Sequence, residues 1–263
     1  MPLEVDAASL SLEWFTWLRD YSATVRRFAK EDPIGVSFME ERELVAINAA
    51  LYARALTLFD GALLMIENDR QLDFRVQSRG VIESAMYMIP LNRAPAYVEI
   101  MKDDDDKSRH ARAGLLLKAK KFTGSDDVRK MLADFVAQGL QGAKGIQMGE
   151  LLDGSDFERP YHSYRHVSGD AAHVSITSLN RHYVENPEDQ SALLTIDPAL
   201  DENDMLMTVT ELGFSMILAT LLLMKAKEKT DLWDNFEDLT RRYQELGRAA
   251  RHRAPDAHAE PDA

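Results

Sequence analysis

Side chains that can carry protons or bind metals are concentrated between Pro160 and Tyr183, a segment that holds four of the seven histidines and three of the eight tyrosines. Histidine titrates near neutral pH, so this segment can supply a general acid, a general base or metal ligands. A buried hydrogen-bond network inside a helical core selects the same residue types. The composition therefore indicates either a functional site or a structural polar network.

His162, His166 and Asp170 recur at four-residue steps and would share one face of a helix. Two imidazoles and a carboxylate form a ligand set that zinc or iron accepts. However, Pro160 constrains the start of such a helix, and Gly169 weakens its end. A stripe of surface histidines also has the same spacing. The metal site is therefore the weaker alternative, and we expect no metal or other cofactor.

Tyr164 and Ser168 form a second stripe, about 100 degrees away around the same helix, and His173 follows the serine. A nucleophilic serine would also need an orienting acid and an oxyanion hole. The chain contains no Gly-x-Ser-x-Gly turn. These observations disfavour nucleophilic catalysis by Ser168.

Arg79 and Glu83 stand four residues apart in the otherwise apolar segment VQSRGVIESAMYMI, where they can pair on one helix face. Desolvation offsets much of the attraction in a buried ion pair, so stability alone does not explain why such a pair is present. One cause is a structural bridge to another helix. The other is that Glu83 orients or deprotonates a histidine from the later segment. Gly80 fits both, because a missing side chain lets another helix approach closely.

The pattern Arg79-x-x-x-Glu83 in an apolar helix, followed about eighty residues later by Tyr164-x-x-x-Ser168-x-x-x-x-His173, resembles a family catalogued as domain of unknown function 5677. The resemblance implies an all-helical bacterial protein with no established activity. It points to these five residues as a signature set without naming their chemistry. We take Glu83 and His173 as the candidates for catalysis, and the other three as a binding or structural cluster.

Helical periodicity dominates the chain, and the alternation typical of strands is nearly absent. The sequence therefore predicts an all-α fold, an irregular bundle of about seven to nine helices. We expect residues 1–35 to form an N-terminal helix packed on the core, and residues 36–250 to form an all-helical domain. Residues 251–263 are expected to be a disordered tail, because they carry too little apolar surface to offset the entropy of ordering. The family resemblance covers about residues 40–225.

Local signals predict where several elements lie. Ser125 is expected to cap a helix, and Pro90 is expected to stop the third helix. A loop is expected around Asn186–Pro187 and Asp197–Pro198. The apolar run Leu212–Met224 is thirteen residues long, short of the roughly 20 needed to cross a bilayer, and predicts a buried helix.

Composition narrows the classes of function. Acidic residues outnumber basic ones, 44 to 31, and the formal net charge of -13 repels nucleic acid unless a basic patch overrides it. There is no cysteine, which excludes disulfides and cysteine-ligated metal centres. The amino terminus lacks a basic region followed by an apolar one, so we expect no secretory signal. We expect a cytoplasmic protein that binds neither nucleic acid nor a membrane.

One further helical class is the HEPN-type ribonuclease, in which an arginine and a histidine a few residues apart act on the RNA phosphate. Arg159 and His166 fit that spacing. A chain of this composition gives roughly one or two such matches by chance, so the match itself carries little information.

Two functional hypotheses follow. The first is a binding or interaction module for an unknown small ligand or protein partner, in a bacterial stress or defence system. The second is a hydrolytic enzyme, either HEPN-like or metal-assisted, with a histidine as general acid or base. The sequence leaves open whether the protein is an enzyme. The apolar helices leave enough surface for a homodimer, although no heptad pattern specifies one.

Overall fold

The computed structural model describes residues 7–31, 43–120, 122–139, 145–149, 152, 158–171, 175–186, 191–229, 234 and 236–253. Within these residues it confirms the all-α fold and the predicted number of helices. In chain order the elements are α1 (Ala7–Glu31), α2 (Glu43–Glu67), α3 (Gln71–Arg93), α4 (Tyr97–Lys118), α5 (Asp126–Ala137), α6 (Glu158–Ala171), α7 (Ile176–Asn180), β1 (Tyr183–Asn186), β2 (Ser191–Leu194), α8 (Glu202–Ala226) and α9 (Glu237–Arg253).

The core is built on the aromatic face of α1. Trp14, Trp17 and Tyr21 recur at three- and four-residue steps and are fully buried. Trp17 Nε1 donates to the carbonyl oxygen of Leu239 in α9 at 2.7 Å. Tyr21 Oη donates to the carbonyl oxygen of Met216 in α8 at 3.1 Å. These contacts satisfy the polar groups of Trp17 and Tyr21 and fix α1 against α8 and α9.

The predicted buried helix over Leu212–Met224 forms the carboxyl-terminal half of α8, which packs against α2 and α3. Both α2 and α8 are long and apolar enough to cross a membrane by length and composition. In α8, 67% of the most apolar window is buried among the other helices, and in α2 the share is 28%. A core helix of a soluble protein has the same composition, so the absence of a membrane stays a prediction.

Pro90 lies inside α3, and the prediction that it ends the helix is wrong. Proline removes one helical hydrogen bond, yet the helix continues to Arg93. Pro90 and Leu91 are both buried. In the additional turn, the Asn92 side chain donates to Asn48 Oδ1 of α2 at 2.8 Å. Burial and this contact between helices offset the lost hydrogen bond.

The predicted loop before α8 contains a hairpin that the sequence analysis missed. β1 and β2 pair antiparallel, with Tyr183 opposite Leu194 and Val184 opposite Leu193. Asn186 is the last residue of β1 and not part of a loop, whereas Asp197 and Pro198 lie in a loop between β2 and α8, as predicted. Strands of four residues with apolar side chains on both faces do not show the alternation by which strands are recognised. Pro187 lies outside the described residues.

The remaining local predictions fall at helix ends. Ser125 caps α5 as predicted, because its Oγ accepts the N–H of Val128 at 3.3 Å. At the carboxyl end, α9 continues to Arg253, into the predicted tail. The rest of that tail, residues 254–263, lies outside the described residues.

Gly213 of α8 tests the close packing of α1 on α8. A Cβ at this position would lie 2.8 Å from Trp17 Cζ3 and 3.1 Å from Tyr243 Cε2. Because the Trp17 ring is held by its bond to Leu239, we expect Gly213→Ala to lower the free energy of unfolding by about 1–3 kcal/mol in urea denaturation.

Gly247 of α9 is the matched control, because a Cβ there meets nothing within 4 Å. Gly247→Ala should raise the free energy of unfolding by roughly 0.5–1 kcal/mol through helix propensity alone. Equal stabilisation by the two substitutions would contradict the close approach of α1 to α8.

Candidate functional site

One face of α3 carries a row of charged side chains at four-residue steps, namely Arg75, Arg79 and Glu83. This face packs against α6. Two groups of contacts result. We call Arg54, Arg79, Glu83, Tyr164 and Ser168 the Arg79 cluster. We call Arg75, His166, Asp170, Arg181 and Asp204 the Arg75 network.

Arg79 is the centre of the first group. Its Nε donates to Ser168 Oγ at 3.1 Å, and its Nη2 donates to Tyr164 Oη at 2.7 Å. The guanidinium carbon lies 4.9 Å from the centroid of the Tyr164 ring, within the range of a cation–π contact. The structure thus brings the predicted residues of α3 and α6 together. His173 lies outside the described residues, so its relation to Glu83 and Arg79 stays a prediction.

Glu83 receives donors from three side chains. Its Oε1 accepts from Tyr164 Oη at 3.4 Å and lies 3.5 Å from Arg79 Nη2. Its Oε2 accepts from Arg54 Nη2 of α2 at 3.1 Å. Arg54 also donates to Ser84 Oγ at 2.5 Å. The carboxylate is therefore held between two guanidinium groups, one from its own helix and one from α2.

Arg54 is not singled out by the sequence alone and reaches the cluster because α2 and α3 lie close together at Gly80. A Cβ on Gly80 would lie 2.7 Å from Leu58 Cδ1 of α2. Arg54, one turn before Leu58, donates from Nη1 to the carbonyl oxygen of Gly80 at 3.1 Å. The only sequence signal for Arg54 is that it is the single arginine in the apolar run of α2. It lies four residues before Leu58, the residue that faces Gly80.

The Arg79 cluster is not sealed from solvent. The side chain of Arg79 is 23% exposed and that of Glu83 is 19% exposed, while Arg54 is half-exposed. Tyr164 is nearly buried, with 8% of its surface exposed. The cluster therefore lies at the boundary of the core, where charged groups keep part of their hydration.

The Arg75 network lies one turn earlier along α3 and is more deeply buried. Arg75 is fully buried, and its Nε lies 2.7 Å from Asp170 Oδ2 at an angle too oblique for a hydrogen bond. Its Nη1 lies 3.1 Å from Asp204 Oδ1 of α8. Arg181 bridges the same two carboxylates, with Nε 2.7 Å from Asp170 Oδ1 and Nη2 2.5 Å from Asp204 Oδ2. Two arginines and two aspartates therefore form a group with no net charge, in which each arginine contacts both aspartates.

His166 extends this network towards solvent. Its Nε2 lies 2.8 Å from Asp204 Oδ1, and about half of the imidazole is exposed. Burial alone would raise the pKa of Asp204, but hydrogen bonds from His166 and Arg181 and the charges of Arg75 and Arg181 together hold that pKa well below its ordinary value. Asp204 is therefore a stable anion at neutral pH.

The predicted metal ligands do not converge on one point. His162 is exposed, His166 faces Asp204, and both oxygens of Asp170 are taken by Arg75 and Arg181. In the described part of the chain, no group of three histidine or carboxylate side chains is placed to hold a metal ion. Guanidinium groups occupy the positions beside the carboxylates that a cation would need.

Three members of this network are not singled out by the sequence alone. Arg75 precedes Arg79 by one helical turn, and this spacing was the available signal. Asp204 looks like an ordinary acidic residue of a helix first turn. Arg181 follows a five-residue helix, α7. Their association depends on tertiary contacts between α3, α6 and α8, which no local pattern encodes.

The Arg159 and His166 pair of the ribonuclease hypothesis lies within α6. The structure describes His166, which contacts Asp204. The side chain of Arg159 is outside the described residues.

Comparison with known proteins identifies no relative, since no protein-family model, curated protein or solved structure matches this chain. The resemblance to domain of unknown function 5677 therefore stays a prediction.

The pKa of Asp204 predicts a specific dependence of stability on pH. Because this pKa is lower in the folded than in the unfolded protein, the ionised carboxylate stabilises the fold above about pH 5, and this contribution is lost as the pH falls below about 4. Asp204→Asn should lower the free energy of unfolding by about 3–5 kcal/mol at pH 7, because it leaves Arg75 buried with one charge partner fewer. In urea denaturation, the difference from wild type should shrink as the pH decreases towards about 2.

Asp238→Asn is the control, since Asp238 pairs with Arg241 on the exposed surface of α9. This substitution should change stability by less than about 1 kcal/mol. If the difference between wild type and Asp204→Asn is the same at every pH, the proposed charge state of Asp204 is refuted.

Proposed function

We propose that the protein is a binding module and that the Arg79 cluster recognises an anionic group, a carboxylate or phosphate, on a small ligand. The observation that carries this proposal is that Arg79 is both held in place by hydrogen bonds and partly exposed to solvent. Its guanidinium is fixed by Tyr164 and Ser168, yet 23% of its side chain remains exposed. A fixed and partly exposed guanidinium is suited to planar recognition of an oxyanion.

The charge balance of the cluster supports an anionic ligand. Two arginines surround the single carboxylate of Glu83, which leaves a local excess of one positive charge in a chain whose formal net charge is -13. Among the described residues, Arg79 Nη1 and Arg54 Nε have no hydrogen-bond partner. These N–H groups can donate to the oxygens of a ligand.

Pre-organisation also favours binding. The Tyr164 ring lies against the Arg79 guanidinium, and Ser168 fixes its orientation. A side chain that is already ordered loses little conformational entropy when a ligand arrives. The Arg79 cluster therefore requires no rearrangement of α3 or α6 to accept an anion.

A hydrolytic function has less support. Arg54, Arg79 and Tyr164 all donate to the carboxylate of Glu83, so a substrate proton would have to compete with these three contacts. His166 contacts Asp204, and His173 lies outside the described residues. The hydrolase therefore remains the alternative hypothesis. A cytoplasmic location and a role in bacterial stress or defence are predictions from the sequence.

Calorimetric titration with inorganic phosphate and, separately, with succinate tests the proposal. We expect at least one probe to bind the wild-type protein and Arg54→Met to weaken that binding at least tenfold. Because Arg54 is half-exposed, the substitution should change the free energy of unfolding by only about 1 kcal/mol.

Arg19→Met is the matched control. Arg19 is also a half-exposed arginine that pairs with a glutamate on a neighbouring helix, Glu67 of α2. Its substitution should leave the affinity for the probe unchanged. If neither probe binds the wild-type protein, or if both variants bind equally well, the proposed function is wrong.

A further inference from the structure

The hairpin of β1 and β2 exposes apolar side chains on both of its faces. The side chains of Leu193, Leu194 and Ile196 are 70%, 71% and 84% exposed, and Val184 is 55% exposed. In the described part of the chain, the sheet has only these two strands. A two-stranded hairpin is marginally stable in water by itself and has an open edge on each side.

The direction of the main-chain groups shows which residues of β2 can form hydrogen bonds on the side that faces away from β1. The Thr195 N–H donates to the carbonyl oxygen of His182 at 2.8 Å, so the main chain of Thr195 faces β1. Main-chain groups alternate in direction along a strand. Those of Leu193 therefore also face β1, while the N–H and C=O groups of Ala192 and Leu194 point away from the hairpin.

Charge distinguishes the two edges. The stretch from Ser191 to Ile196 contains no charged residue, proline or glycine, whereas β1 carries Glu185. Proteins commonly protect an edge strand with charges or proline, and β2 has neither. A net charge of -13 opposes self-association in general. An uncharged strand edge is where two copies can meet with the least repulsion.

We propose that the open edge of β2 pairs antiparallel with β2 of a second copy, about a two-fold axis at Leu193. In this register Ala192 of each copy lies opposite Leu194 of the other, and the outward main-chain groups of both residues form hydrogen bonds. Leu193 meets its symmetry mate in the close, non-hydrogen-bonded position, where Cα atoms are about 4.5 Å apart. The two hairpins then form one four-stranded sheet.

The exposed apolar area of β2 determines how tightly we expect the two copies to bind. Leu193, Leu194 and Ile196 together expose on the order of 400 Å² per copy, below the roughly 800 Å² per partner of a standard interface. Main-chain hydrogen bonds add to this apolar contact. We therefore expect a concentration-dependent dimer with a dissociation constant in the micromolar range, of the order of 10 μM.

A single cysteine tests the register, because the chain contains none of its own. Leu193→Cys places two thiols across the two-fold axis at a separation that a disulfide can span. Oxidation by diamide, which takes up the two thiol hydrogens, should convert this variant to a covalent dimer visible on a non-reducing gel. Val184→Cys is the matched control, since Val184 is the exposed partner of Leu193 on β1 and should remain monomeric on the gel.

Sedimentation velocity tests the association without a covalent link. The wild-type mass should rise from monomer to dimer as concentration increases from about 1 to 100 μM, and Leu193→Lys should stay monomeric because it places two like charges at the axis. Circular dichroism should show an unchanged helical content for that variant. A wild-type protein that stays monomeric, or equal cross-linking of the two cysteine variants, would overturn the proposal.

Discussion

The burial of Arg75 is the constraint on which the relative positions of α3, α6 and α8 depend. A fully buried guanidinium is costly unless it is paired, and removal of one partner of a buried ion pair typically costs about 3–5 kcal/mol. Its partners are Asp170 of α6 and Asp204 of α8, and Arg181 bridges the same two carboxylates from beyond α7. These contacts fix α3, α6 and α8 relative to one another. The apolar contacts between the helices supply most of the driving force, and we expect the ion pairs to favour one arrangement of α6.

The position of α6 in turn determines the candidate site. Asp170 is held at Arg75, and Tyr164 and Ser168, which precede it in the same helix, contact Arg79 one turn further along α3. We therefore expect the Arg79 cluster to depend on the Arg75 network. The two groups differ in burial, since Arg75 and Asp170 are inside the core, whereas Arg79 and Glu83 are partly exposed to solvent. This difference is the reason why we propose a binding role for Arg79 and a structural one for Arg75.

Features encoded by local spacing could be predicted from the sequence. The aromatic face of α1, the apolar carboxyl-terminal half of α8 and the Ser125 cap follow from residues three to four apart. Features that depend on packing could not. Proline is retained inside α3 because its surroundings are buried, and the hairpin has strands too short to show a period. Arg79 and Glu83 stood out in the sequence because they interrupt an apolar helix, whereas Arg181 and Asp204 become important only where separate helices meet.

Hydrogen exchange of α6 amides in Asp170→Asn tests the dependence of α6 on the Arg75 network most directly. The substitution preserves the shape of the side chain and removes the charge shared by Arg75 and Arg181. We expect amides of α6 to exchange at least tenfold faster than in the wild-type protein, while amides of α9, which does not contact the network, keep their rates. Unchanged protection in α6, or equal acceleration in both helices, would contradict the account.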